Sequence, residues 1–458
     1  MAQNKDIYDV AIIGAGPAGM MAGISAAENG AKAILIEKNG TAGKKMLLTG
    51  GGRCNLTNAE FDLRKLVVNY GANGPFLFHG FFEFGPKGVI DFFNGLGLKT
   101  VVEEKQRTFP KSGQANTVLA VLLKRLAELG VEIRFDCPVA KLENEGKSIR
   151  RIVLNSGKEI VAKNYIIATG GKSFPETGSA GDGYVWARDL GHKIEPLAPG
   201  LVPVMTSEDW VKDLAGVSLE AAGIKVFCAN PLSPEASARQ GKMTAQGEIL
   251  FTHFGLSGPA ILNMSAAIGK LMEKGEVSIS INLFPKTNRD QLDKMVLDIF
   301  KKNLNRVLKN CLVDIMPQGL ALAVSRLANI APEKTANNIT KEERAKLIGA
   351  MSDIRLTVAG LLDIEAGMVT TGGVDLKEID DKTMRSKIID NLFFAGEIIN
   401  VHGATGGFNL QQCWSTGRLA GAKASLAKAA AEAGHLVGQN ASSIKNNFQR
   451  MSFPMNKE

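Results

Sequence analysis

Apolar positions set the chain's punctuation before any chemistry is considered. Val10 to Ile13 is a continuous apolar run, followed by Gly14-Ala15-Gly16-Pro17-Ala18-Gly19, a helix-compatible stretch to Gly30, and a second apolar run, Ala33 to Ile36, that ends in Glu37. Continuous runs of four to eight apolar residues bounded by glycine predict strands buried on both faces, as in a parallel sheet. Thr117 to Leu129 has helical spacing, Val131 to Phe135 reads as a strand, and Lys141 to Val161 reads as a hairpin turning at Asn155-Ser156-Gly157. Tyr165 to Ala168 is another buried strand, ending in Thr169-Gly170-Gly171. After Gly191 the pattern changes. Gly223 to Phe227 and Glu276 to Asn282 alternate apolar with polar residues, which predicts antiparallel strands with one wet face. Helical periodicity takes over from Asn288 to about Met351, and the α/β signature returns near Leu392. The expected organisation is a discontinuous nucleotide domain, 1–193 plus 361–432, interrupted by an antiparallel β substrate domain (194–287) and a helical insert (288–360). The inserted part is expected to roof the cofactor, and a polar tail occupies 433–458.

The first of these patterns carries a specific chemistry. Gly14 permits the tight turn after the strand, Gly16 lets backbone approach a pyrophosphate, and Gly19 lets the helix pack closely on the strand. Phosphates then rest on the free N–H groups at the positive end of the helix. Glu37, 23 residues beyond Gly14, is placed to accept hydrogen bonds from ribose hydroxyls. Strand, glycine turn, helix, strand and acidic residue in register predict an adenine-dinucleotide domain.

Composition adds little to this picture but removes alternatives. The 458 residues exceed one ordinary core, and 45% apolar with 22% charged is ordinary for a globular chain. Fifty glycines, about 11% against the usual ~7%, gather in motifs and suggest backbone wrapped around a ligand. No apolar stretch reaches the ~18 residues of a membrane span, and Asp6 and Asp9 at the start argue against a signal peptide. Five scattered cysteines without CxxC spacing predict neither a disulfide framework nor a metal centre, and a cytoplasmic location is expected. The formal charge of +8 fits a solvated basic surface and is also compatible with a polyanionic partner such as RNA.

A second GxGxxG after a strand, which would mark a separate NAD(P)H domain, is not present. The single site therefore holds a resident cofactor, expected to be FAD, with NAD(P)H as a transient hydride donor. The glycine-rich stretch Lys44 to Asn55 is expected to lie along this cofactor, its Lys44, Lys45 and Arg53 neutralising pyrophosphate or meeting the ring edge. The loop Gly403 to Leu410 precedes a helix running to about Glu432, with Asn409 as its N-cap. A helix start there stabilises negative charge on reduced flavin. Gly417 and Gly421 allow that helix to pack closely.

Four motifs together resemble one family across nearly the whole chain: Gly50-Gly-Gly-Arg-Cys-Asn-Leu-Thr-Asn58, Ala168-Thr-Gly-Gly171 with Gly178 to Gly183, Phe251-Thr-His-Phe-Gly-Leu-Ser-Gly-Pro259, and Phe394-Ala-Gly-Glu397 with Gly403 to Gln411. The chain resembles the BaiN/RdsA (YhiN-like) NAD(P)/FAD-dependent oxidoreductases. The resemblance implies an α/β fold in which a Rossmann-like, glutathione-reductase-type FAD domain is interrupted by a β-rich domain and a small helical one. Asn400 stands where many relatives carry Asp, which puts any role needing a carboxylate there in doubt. The cofactor contacts expected are Gly14, Gly16, Pro17, Ala18, Gly19, Glu37, Lys38, Lys44, Lys45, Thr49, Gly50, Gly51, Gly52, Arg53, Asn55, Val139, Thr169, Gly170, Gly171, Gly396, Glu397, Gly406, Gly407, Phe408, Asn409 and Leu410.

For chemistry beyond cofactor binding, Cys54 beside Arg53 is a candidate acid, with buried packing as the alternative. His253, between Thr252 and Ser257, is a candidate for holding substrate or moving a proton, with a structural role as the alternative. His402 is placed near the expected flavin edge. Arg107-Thr-Phe-Pro110 is a pocket-shaping turn or simply a structural one. Three functions remain open. One is an NAD(P)H-driven reductase of an activated C=C bond, which the resemblance extends to uridine in 23S ribosomal RNA. The second is a small-molecule enone reductase or amine oxidase. The third is a non-catalytic flavin-binding redox sensor.

Overall fold

The computed structural model describes residues 7–229 and 243–426. The chain forms two compact units, Met1–Leu197 with Thr370–Glu458, and Ala198–Val369.

The first unit is built on a parallel sheet in the order Glu132–Arg134, Ala33–Ile36, Ile7–Ile13, Glu159–Ile167, with Leu392–Phe394 also pairing to Glu159–Ile167. Val10 lies opposite Ala33 and Ala11 opposite Tyr165, and every residue from Ala33 to Ile36 is buried. That is why these strands read as unbroken apolar runs. The helix Pro17–Glu28 packs on Ala115–Glu128, where a Cβ on Gly23 would touch Leu126 at 3.1 Å. The hairpin expected over 141–161 is a three-stranded meander: Val139–Glu145 and Ser148–Leu154 turn at Gly146, and Ser148–Leu154 and Glu159–Ile167 turn at Gly157. The first of these strands is mostly exposed, so its apolar period is faint.

The second unit is a closed antiparallel barrel: Val204–Thr206, Gly255–Ser257, Met243–Thr252, Ser218–Ala229, Glu276–Asn282, Ile354–Leu361 and back to the first strand. Alternation is strict in Ile354–Leu361, where Ile354, Leu356 and Val358 point inward. This strand lies in the stretch expected to be helical and closes the barrel. The helices Arg289–Lys302 and Lys341–Ser352 begin in capping boxes, Asn288 with Gln291 and Thr340 with Glu343, and share one core with the barrel. A further helix, Pro259–Met272, falls in the stretch expected to be β; Pro259 at the first turn after Gly258 is the signal that marks it. Among the described residues, no helix is long and apolar enough to cross a membrane, and no group of three metal-ligating side chains occurs.

Candidate active site

The glycines of the first turn differ in what a side chain would meet. A Cβ on Gly14, at φ +103°, would lie 2.6 Å from the Ala168 carbonyl oxygen, and one on Gly19 would lie 1.8 Å from that of Gly14. A Cβ on Gly16 would meet nothing within 4 Å. Gly14 and Gly19 are therefore glycine for the fold, whereas Gly16 leaves an open cradle over the helix start. That helix begins at Pro17 with no side-chain cap, so the N–H groups of Ala18 and Gly19 face the cradle without an intrahelical partner. Glu37 is buried at the end of its strand. It accepts from the Ala15 N–H at 2.8 Å and, on its other oxygen, from the Asn39 N–H (2.9 Å) and side-chain amide (2.8 Å). Cys137 N–H donates to the Glu37 carbonyl at 3.0 Å, which brings the start of Val139–Glu145 beside this corner. An open backbone cradle at a helix N-terminus with a fixed carboxylate beyond it suits an adenine dinucleotide such as FAD.

The four cations expected around the cofactor all have protein partners. Lys38 pairs with Asp182 at 2.6 Å, Lys45 with Glu397 at 2.8 Å, and Arg53 with Glu103, while its guanidinium stacks 4.0 Å above the Phe109 ring. Arg53 in turn holds the Glu103 carboxyl below the usual range, chiefly through their hydrogen bond. Lys44 alone of the four donates to a neutral group, the Asn39 side-chain oxygen at 3.2 Å. Asp182 and Glu103, which fix two of these cations, carry no sequence signal, because each meets its partner across a long stretch of chain.

Gly50, Gly51 and Gly52 take φ of 60°, 67° and 84°, and Cys54 follows at 62°. Cys54 N–H donates to the Thr49 carbonyl at 2.9 Å, and the Ala115 N–H donates to that of Gly52 at 2.9 Å. The Cys54 side chain has no solvent-accessible surface, and burial pushes its thiol up to about 12 despite a hydrogen bond with Thr49. Nothing bound in a cleft reaches it unless the loop moves. This burial favours the packing alternative for Cys54, and the Arg53 guanidinium beside it is held by Glu103.

The rest of that motif clamps the C-terminal segment. Trp414 donates its indole N–H to the Leu56 carbonyl (2.9 Å), Thr57 donates to Gln411 (2.5 Å), and Asn58 donates to the carbonyls of Lys105 (3.0 Å) and Gly406 (3.2 Å). The Asn55 side-chain oxygen is buried without a hydrogen-bond partner, 2.8 Å from where a Cβ on Gly407 would lie. The helix they secure begins at Phe408 and runs through residue 426. Asn409 is therefore inside the first turn and does not cap it. Its side chain accepts from the Gly403 N–H (2.8 Å) and donates to the carbonyls of Gly403 and Ala404, which staples the glycine loop. Tyr70 fixes the Phe408 carbonyl at 2.7 Å, and Leu410 is buried. Cβ atoms on Gly417 and Gly421 would fall 2.3 and 2.2 Å from the carbonyls of Ala18 and Ala22, so this helix lies directly on Pro17–Glu28.

Gly171 and Glu397 meet at a residue the sequence did not flag, Thr370. A Cβ on Gly171 would collide with the Thr370 hydroxyl at 2.3 Å and with a Glu397 carboxylate oxygen at 2.8 Å. The Asn400 carbonyl accepts from the Asn73 side chain at 2.6 Å. His253 belongs to the second unit, exposed in a turn with its ring edge-on to Phe254 at 4.7 Å, and His402 is half-buried beside Gly403.

Comparison with known proteins agrees with this construction. The model of the family described as HI0933-like protein Rossmann domain matches residues 8–423. A 3-dehydro-bile acid Δ4,6-reductase of Clostridium scindens is 30% identical over 90% of this chain and 98% of its own. A ribosomal RNA dihydrouridine synthase of Escherichia coli is 30% identical over 89% of this chain and 96% of its own. Among solved structures, the 3-ketosteroid Δ1-dehydrogenase of Sterolibacterium denitrificans covers 92% of this chain and 100% of its own with a TM-score of 0.51 at 13% identity, a likeness of fold. The chain belongs to the HI0933-like family and is an FAD-dependent oxidoreductase.

Proposed function

We propose that this protein reduces a C=C bond polarised by a neighbouring carbonyl, using NAD(P)H, and that its substrate is a uracil base of ribosomal RNA. The observation that carries the reading is near full-length similarity to relatives named for ribosomal RNA dihydrouridine synthesis, 30% and 28% identical. The +8 charge agrees with a polyanionic substrate. In the net reaction NAD(P)H gives up a hydride and becomes NAD(P)+, while C5=C6 of the base gains that hydride and a proton. FAD, when bound, supplies the hydride-transfer chemistry. The chain's own part is to bind and orient: Ala18 and Gly19 N–H groups on the pyrophosphate, Glu37 at the ribose, and the start of the Phe408 helix at the flavin. His253 is the candidate for holding the base or transferring the proton. A uracil in folded RNA must be exposed to enter such a cleft, so unassembled rRNA suits better than a finished ribosome.

A second reading has its own support. The bile-acid reductase is as similar as the E. coli relative, and its name describes reduction of a small molecule. Mass-spectrometric nucleoside analysis of rRNA from cells with and without the gene separates the two. Loss of one dihydrouridine on deletion and its return on complementation supports the RNA reading. No change, together with NAD(P)H-dependent turnover of a conjugated enone by the purified protein, replaces it with the small-molecule one. His253→Ala should lower turnover on the natural substrate and leave FAD content unchanged.

A further inference from the structure

Lys45 and Glu397 are 352 positions apart and meet where three segments of the cofactor motifs converge. Lys45 stands on the short helix Lys44–Leu48, and its ammonium is 2.8 and 3.1 Å from the two Glu397 oxygens. The second of those oxygens also accepts the Thr370 N–H at 2.8 Å. The Thr370 hydroxyl accepts from the N–H groups of Lys172 (2.7 Å) and Ser173 (3.2 Å), which ties in the loop after Gly171. The two charged side chains keep only 21% and 15% of their exposure. Away from water the attraction is stronger than in a surface pair, and removing one partner strands the other.

A lysine whose charge is matched in this way is poorly suited to neutralise phosphates. Its neighbour Lys44, which bonds only a neutral amide oxygen, keeps its charge free for them. We propose that Lys45 is a positioning residue: it holds the Glu397 carboxylate fixed where the three segments meet, and it does not itself ligate the cofactor's phosphates. This rests on the assignment of FAD to the cleft. Tyr184 and Cys413 also face Glu397. Burial is the main cause holding both well above their ordinary values, the thiol at about 12, so both stay neutral acids over the range tested.

The test is FAD affinity of the full-length apoprotein, read by flavin fluorescence from pH 5.5 to 8.5, for wild type, Lys45→Met, Lys45→Arg, Glu397→Gln and the Lys45→Met/Glu397→Gln pair. Wild type that binds no FAD would refute the cofactor assignment, not the ion-pair role, which the melting temperature of the apoprotein would then decide by the same cycle. Lys45→Met should weaken binding about tenfold or more across this range. Lys45→Arg should stay within a few fold of wild type. Glutamine at 397 should cost at least fivefold less in the Lys45→Met background than in wild type. A comparable loss with glutamine costing the same factor in both backgrounds would make Lys45 a phosphate ligand and overturn the proposal. Where Lys45→Met gives no folded protein, a folded double variant supports the proposal and an unfolded one overturns it.

Discussion

Gly16→Val separates cofactor binding from folding more cleanly than any other change in the cleft. At φ −78° and ψ −178° the backbone is in a region open to every L-residue, and β-branched valine favours extended geometry. The new Cβ meets no protein atom within 4 Å. The apoprotein should fold and melt as wild type does. The isopropyl group fills the space a pyrophosphate needs to reach the N–H groups of Ala18 and Gly19. Each lost hydrogen bond to a charged oxygen removes about 1.5–3 kcal/mol, so the pair removes about 3–6 kcal/mol, or on the order of 10²–10⁴ in affinity. The assay is fluorescence titration of apoprotein with FAD, alongside a thermal melt. Gly19→Ala is the control, because its Cβ would sit 1.8 Å from the Gly14 oxygen and should damage the fold itself. FAD affinity within about threefold of wild type in Gly16→Val, or a melt lowered as far as in Gly19→Ala, would refute this reasoning.

Cys54 should resist alkylation in native protein at pH 8, since it is buried and its thiol is pushed up to about 12, and should react fully once denatured; rapid native labelling by mass spectrometry would return it to the cleft. His192 is buried and neutral, 3.2 Å from the Ala187 carbonyl and 2.8 Å from the Ser386 hydroxyl, which itself accepts two backbone N–H groups. Burial lowers its pKa below the ordinary 6.5, so the unfolded chain takes up the proton first. Its contribution to stability is therefore full above about 6.5 and lost as pH falls from there toward the lower folded value; His192→Gln should flatten the fall in urea midpoint across pH 6.5 to 5, and an unchanged slope would count against the assignment. Gly417→Ala should lower the melting temperature and release FAD, because the added methyl would lie 2.3 Å from the Ala18 carbonyl, with overpacking costing about 1–3 kcal/mol; an unchanged melt would mean the two helices separate freely.

The nucleotide core was legible because its signals are local. Ala33–Ile36 is bounded by the sequence at the residues where the strand lies, and the roles of Gly14, Gly16 and Gly19 follow from spacing alone. What the sequence hid is long-range pairing. Arg53 reads as a cation for the pyrophosphate or the ring edge, and nothing local marks its partner Glu103, 50 positions on. The pairing of Lys45 with Glu397, 352 positions on, has no local sign either, and neither does the part of Thr370 in joining two loops. Asn409 reads as a cap because asparagine favours that position, but here its amide has a stronger set of partners in Gly403 and Ala404. Exposed strands such as Val139–Glu145 lack an inward face to give them a period.

The central claim is that the cradle between Pro17–Glu28 and the Phe408 helix holds FAD. It is tested most directly by denaturing the purified, folded protein and identifying the released flavin by chromatography and mass spectrometry. Intact FAD, approaching one per chain and lost in Gly16→Val, is the predicted result; FMN alone, or no flavin from a well-folded preparation, would contradict it.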